Sequence, residues 1–341
     1  MTRVLVPQLA EPPARPIGGA VLALAGETMG TTWSVRLVAP PTANADALTA
    51  MAQRELDGVV REMSPWEPLS DLSRYNRAAA GTWTALPPAF AQVLRCALEI
   101  AEATDGAFDP TLGALVDLWG FGPRPFSGAP PETSDVARVR AAAGWRHVVL
   151  DGDSLFQPGG LRLDLNGIAK GFAVDQVAAA LDRAGARSYL VEVGGELRGT
   201  GAKPDGQPWW VELERPPTAP ARGRAHLQVV GDGLRTLVAL HGLSVATSGD
   251  YRRFFEHEGR RYAHTLDPAA GAPVVHPTVS VTVLAASCMR ADAWATALTV
   301  MEPDAALAFA TQHGLAAMIL AHGAAGLEER LSPALSAMLE A

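Results

Sequence analysis

The stretch LDLNGIAKGFAVD, residues 163–175, is where the reading of this chain turns. Alternating leucines at 161, 163 and 165 predict a short strand, and the apolar period after Gly167 predicts a long amphipathic helix. Asn166-Gly167 joins the two, a pair suited to a tight turn. A strand that opens directly onto a helix leaves backbone N–H groups unpaired at one point, and the positive end of the helix favours an anion there. Lys170 falls in the first turn, within reach of a phosphate, and Asp164 lies just before the turn, where a carboxylate can bond a sugar or a base. The same residues also describe a capped junction with a surface lysine. On this stretch alone both readings stay open.

Working outward, the chain of 341 residues is 48% hydrophobic and 19% charged, the make-up of a globular protein with room for a large core. A net charge of −8 argues against a general affinity for nucleic acid or for an acidic membrane surface. An anionic ligand must therefore be held locally, by a loop, a helix end or a metal. Cys96 and Cys288 lie far apart without CxxC spacing, so neither a disulfide framework nor a zinc ribbon is indicated, and both read as small buried hydrophobes. No stretch approaches the roughly 20 apolar residues of a membrane span. Residues 1–18 read as a flexible, Pro-rich lead-in with no signal peptide, which points to the cytoplasm, and residues 19–341 read as one large domain.

Along that domain, alternation predicts a strand within residues 27–38, and a 3.6-residue period predicts helices over 44–63 and 88–104. Further strands are predicted at 188–193, 209–214, 226–230, 236–240, 243–246 and 278–286, and further helices at about 290–301 and from 305. Strands and helices mix without strict alternation. The fold class expected is α+β, with a mixed, mostly antiparallel sheet and packed helices.

Several side chains could carry chemistry. Asp292 and Thr296 are four apart on a predicted helix and so share a face; their oxygens suit Mg²⁺ or Ca²⁺ better than zinc, although such a pair is also an ordinary solvated face. His264 ends a predicted strand and could act beside phosphate chemistry, or serve only structure. Thr247-Ser248-Gly249-Asp250 offers hydroxyls and N–H groups in a turn, or a helix N-terminus. Met29 and Trp66 could grip a flat ring, or be core. The signatures of Rossmann dehydrogenases, P-loop NTPases and α/β-hydrolases are missing.

Read in order, ETMGTT (27–32), SDLSRYN (70–76), DGAFDPT (105–111), DLNGIAKG (164–171), VGGE (193–196), TSGDY (247–251), HTLDPAAG (264–271) and ADAWATAL (291–298) resemble the ApbE family of FAD:protein FMN transferases. The resemblance implies an enzyme that takes FAD and Mg²⁺, cleaves the pyrophosphate and attaches FMN to a Thr or Ser of an acceptor protein, releasing AMP. Some members instead hydrolyse FAD to FMN and AMP, and a non-catalytic FAD-binding protein is a third reading. It implies Asp292, Thr296 and the Gly167 carbonyl as metal ligands, with His264 and Asp292 catalytic. Met29, Trp66, Ala107, Phe108, Asp109, Asp164, Lys170 and Thr265 would surround FAD. The chain departs from many members in carrying Trp at position 66 and in lacking an export signal or lipid-attachment Cys near its start.

Overall fold

The structure, a computed structural model, describes residues 2–7, 13, 16, 19–39, 43–216, 235–324 and 326–339. Its centre is an eight-stranded sheet. Taken in chain order its strands are β1 (Ala20–Thr28), β2 (Thr31–Ala39), β3 (Tyr189–Val193), β4 (Glu196–Thr200), β5 (Leu243–Gly249), β6 (Thr278–Ala285), β7 (Ala316–Gly323) and β8 (Gly326–Leu331). Numbered this way, each strand pairs antiparallel with the next. The sheet is thus one antiparallel meander whose longer connections carry the helices. That is the expected α+β class, with pairing in the central sheet wholly antiparallel.

Four helices matter for the site: α1 (Ala45–Met63), α2 (Pro88–Ala103), α3 (Ala169–Arg183) and α4 (Cys288–Val300). The first two follow their predicted period. Asn44 caps α1 by accepting from the Ala47 N–H at 3.1 Å, and Ala52, Leu56, Val59 and Met63 form its buried stripe. Pro88 starts α2, where its missing N–H is harmless. These helices bury one sheet face in a core that includes Trp33, Val35, Val191, Val281 and Ile319. The opposite face, with Val245, Leu284, Met318 and Leu320, packs on Leu5, Val211, Val238 and Leu240 of a small three-stranded sheet. Alternation along β6 and β7 divides their side chains between the two cores, so both strands are almost wholly buried. No described helix is long and apolar enough to cross a membrane.

Two expectations are corrected. Residues 161–165 are extended but form no strand beyond a single bridge between Arg162 and Leu112. Their backbone partners are scattered: Asn76 Nδ2 donates to the Leu163 carbonyl at 2.9 Å and the Leu163 N–H donates to Asn76 Oδ1 at 2.7 Å, Gln157 Nε2 donates to the Leu161 carbonyl at 3.0 Å, and the Gly113 N–H donates to the Arg162 carbonyl at 3.0 Å. An Asn amide offers the donor and acceptor of a strand residue, so the leucines are buried without a ladder. At the other end of the expectation, Thr2–Leu5 is not a loose lead-in; it pairs in parallel with the strand Arg235–Leu240 and buries Leu5. A short Val/Leu segment beside prolines hides that role in the sequence. The strand expected at 226–230 lies outside the described residues.

Candidate active site

The opening stretch organises the site through both its ends. At its C-terminal end, Asp175 caps α4: its carboxylate accepts from the Cys288 N–H at 3.1 Å, the Met289 N–H at 3.0 Å and Ser287 Oγ at 2.8 Å. Near its start α3 crosses α4 at Gly171. A Cβ there would lie 2.3 Å from the Cys288 carbonyl oxygen and 2.8 Å from Asp292 Cβ, so only glycine permits the approach. The Gly171 N–H donates to Asp292 Oδ2 at 2.9 Å, which anchors a carboxylate that is only 4% exposed. One turn on, Thr296 Oγ1 lies 3.5 Å from the Gly167 carbonyl and 3.1 Å from Ser248 Oγ. A Cβ on Gly167 would come within 2.9 Å of that hydroxyl.

These groups open on a cavity of about 170 Å³ whose wall includes Ala107, Phe108, Asp109, Asp164, Gly167, Lys170, His264, Thr265, Asp292 and Thr296. Ten of the predicted site residues thus meet in one place, drawn from segments far apart in sequence. Met29 and Trp66 are not on that wall. Met29 sits in the β1–β2 turn at φ +50°, a left-handed conformation uncommon for its side chain, and Trp66 is 47% exposed with the Arg253 guanidinium 5.8 Å from its ring.

Four carboxyl groups, Asp109, Asp164, Glu196 and Asp292, face two fixed cations, Lys170 and Arg252. Burial raises the pKa of Asp109 and Asp292, and takes Asp164 to about 6. Burial likewise lifts Glu196 to about 7, against the pull of Lys170. Burial alone would lower Lys170, but Glu196, whose Oε1 is 2.5 Å from the ammonium, and Asp292 outweigh it and raise its pKa. The cleft thus holds more acidic groups than cations, and burial makes each of its carboxyls harder to ionise. Asp109 is mostly committed to its own loop, accepting from the Thr111 N–H at 2.8 Å, Thr111 Oγ1 at 2.6 Å and the Trp145 N–H at 3.1 Å.

His264 follows the short hairpin strand Arg260–Ala263, and its N–H donates to the Arg253 carbonyl at 3.1 Å. Its Nδ1 lies 3.2 Å from the same carbonyl. Burial lowers its pKa to about 4, so the ring is neutral near pH 7; with Nδ1–H donating to Arg253, Nε2 is left as a proton acceptor. The hydroxyls of 247–250 are not one nest in a turn. Residues 247–249 end β5, whose two-residue period sends Thr247 Oγ1 to Thr282 Oγ1 at 2.9 Å and only Ser248 toward Thr296.

The sequence profile of the ApbE family matches residues 29–319. The chain belongs to the ApbE family. A Klebsiella pneumoniae protein named FAD:protein FMN transferase is 34% identical over 326 residues, spanning 94% of this chain and 90% of its own length. A Vibrio cholerae protein of the same name is 36% identical, spanning 91% and 90%. Among solved structures, the apo flavinyl transferase ApbE of Pseudomonas stutzeri superposes with a TM-score of 0.84 at 37% identity, covering 94% of this chain and 98% of that one. The flavin transferase ApbE of V. cholerae gives 0.85 at 33% identity, covering 94% and 99%.

Within this ApbE chain, two charged wall residues had no role in the sequence reading. Glu196 lay inside the quoted VGGE motif, which was read only as part of the family resemblance. Arg252 directly follows TSGDY; it donates to the Gly194 carbonyl at 3.0 Å and pairs with Glu214. Proximity to Lys170 across 26 residues is what reveals Glu196, and no spacing rule encodes it.

Proposed function

We propose that this chain is an FAD:protein FMN transferase, which binds FAD in the cavity beside Asp292 and moves FMN to a Thr or Ser hydroxyl of an acceptor protein, releasing AMP. The observation that carries this reading is the convergence of Asp292, Thr296 and the Gly167 carbonyl beside Lys170 and His264 on one wall. The names of its relatives agree with it. In the transfer, the acceptor oxygen bonds to the FMN phosphorus as the bond to the AMP phosphate breaks, and the hydroxyl proton needs a base. Neutral His264 supplies one through Nε2, oriented by Arg253. Lys170 and Arg252 supply fixed positive charge to the diphosphate, already in place before reaction.

Oxygen donors fit Mg²⁺ better than a softer ion: one carboxylate, one hydroxyl and one carbonyl, with room for substrate oxygens. When bound, Mg²⁺ would offset the diphosphate charge that two cations facing four carboxyls cannot. Asp164, just before the α3 turn, would contact FAD, and Met29 and Trp66 would flank its flat parts. The deciding experiment is mass spectrometry of a candidate acceptor incubated with the protein, FAD and Mg²⁺. An acceptor that gains FMN on Thr or Ser supports transfer. AMP and free FMN beside an unmodified acceptor favour FAD pyrophosphatase activity, and unconsumed FAD leaves only binding. Cell fractionation distinguishes a cytoplasmic from a periplasmic location.

A further inference from the structure

The VGGE motif is left without a function by the reading above, and its acid is the least exposed carboxyl in the cavity wall. Strands β3 and β4 are joined by Gly194-Gly195 alone, both with positive φ, +59° and +100°, a tight hairpin turn that suits glycine. The turn brings Val193 and Glu196 opposite each other and aims the Glu196 side chain toward α3. The stem of Lys170 runs over Gly194, where a Cβ would lie 3.6 Å from Lys170 Cδ. Glu196 is 1% exposed, its Oε1 is 2.5 Å from Lys170 Nζ, and its Oε2 has no hydrogen-bond partner among the described residues.

Lys170 precedes Gly171, whose N–H holds Asp292. The ammonium is thus drawn by two carboxylates, Glu196, which it contacts, and Asp292, and both raise its pKa. An ammonium resting on Asp292 would cancel the one formal negative charge in the set Asp292, Thr296 and Gly167. We propose that Glu196 is a positioning residue: it holds the Lys170 ammonium toward the cavity and off Asp292, leaving the Asp292 carboxylate available to a divalent cation. The inference rests on the metal set proposed above, and it assigns to Glu196 no contact with metal or substrate.

The test uses the full chain without FAD and reads Mn²⁺ affinity directly, by titration calorimetry and by the loss of free-Mn²⁺ paramagnetic resonance signal. Glu196→Gln removes the tether and lets Lys170 swing to Asp292, so the Mn²⁺ Kd should rise on the order of tenfold or more. Glu196→Gln combined with Lys170→Met removes the competing ammonium as well, and Kd should return to the wild-type value or below. A simple packing defect at Glu196 would not be rescued by removing Lys170. The idea is overturned if Glu196→Gln binds Mn²⁺ as tightly as wild type, or if the double variant stays as weak as the single, which would make Glu196 itself a ligand. Should the single variant fail to fold, the double variant, free of both buried charges, decides: affinity at or above wild type supports the tether, and weaker affinity refutes it. Wild-type protein that binds no Mn²⁺ strikes the proposed metal set and this inference together, whereas wild-type binding with an unaffected Glu196→Gln strikes the inference alone.

Discussion

Replacing Asp164 by Asn removes a buried ionisation and keeps its hydrogen bond, because the Asp164 Oδ1 that accepts from the Asn166 N–H at 2.9 Å becomes an amide oxygen able to do the same. Burial raises this carboxyl from 3.8 to about 6, so folding takes up a proton between those values. Below about pH 3.8 the carboxyl is protonated in both states and carries no penalty; as pH rises through about 6 the folded state must ionise it out of water, and stability is lost. The interval corresponds to about 3 kcal/mol. Asp164 keeps a partial opening onto the cavity, and solvent there screens the charge, so about 1.5 kcal/mol is the smaller bound. For 341 residues this is about 2–4 °C in melting temperature. Calorimetric melts of both proteins without ligand, from about pH 4.5 to 7.5, should show Asp164→Asn gaining on wild type as pH rises and levelling off above about pH 7. The same variant should bind FAD less well, a trade of function against stability. A melting difference that stays constant across the range, or grows toward acid, would refute the account of Asp164 as a carboxyl raised by burial.

Asp292→Asn removes the only formal charge of the proposed metal set; turnover should fall by about 10² or more while FAD affinity changes less, and a folded variant consuming FAD at near the wild-type rate in saturating Mg²⁺ would contradict the assignment. His264, held at about 4 by burial, is already neutral well below its usual 6.5, so its acid limb in kcat/KM should lie near pH 4; a limb at 6.5 that vanishes in His264→Ala would mean a solvated ring in the working complex. Gly171→Ala places a methyl 2.3 Å from the Cys288 carbonyl oxygen and should lower stability by about 1–3 kcal/mol in urea unfolding, with unchanged stability showing that α3 and α4 separate freely. Trp66→Ala should weaken FAD binding by about 1–3 kcal/mol if the exposed indole stacks on the nucleotide, and an unaltered titration makes it ordinary surface.

Local chemistry was legible in the sequence. Helices α1 and α2 declared themselves through apolar period and caps, since a helix's buried face is set by its own spacing. Asp292 and Thr296 could be placed on one face for the same reason, and the ordered motifs identified the family before any coordinates. The α+β class with mostly antiparallel pairing also followed from the mix of elements.

Partnerships between distant residues were not legible. That eight strands pair in strict succession depends on how chain segments of up to about 150 residues return to the sheet, which no local pattern records. Leu161, Leu163 and Leu165 carry a strand's alternation, yet Leu163 is paired by Asn76, the Leu161 carbonyl by Gln157 and the Leu165 carbonyl by the turn that follows, because burial requires only that the N–H and C=O be paired and not that another strand pair them. Thr247 and Ser248 are adjacent hydroxyls, and only the sheet's position decides which one faces the site. Glu196 and Lys170 meet because a two-glycine turn aims one strand's first side chain at another helix's first turn. Sequence determines what each segment can do alone, through period, cap and turn; charge pairing and desolvation act through space, and so the state of Asp164, Glu196, Asp292 and His264 was decided only when the chain closed around them.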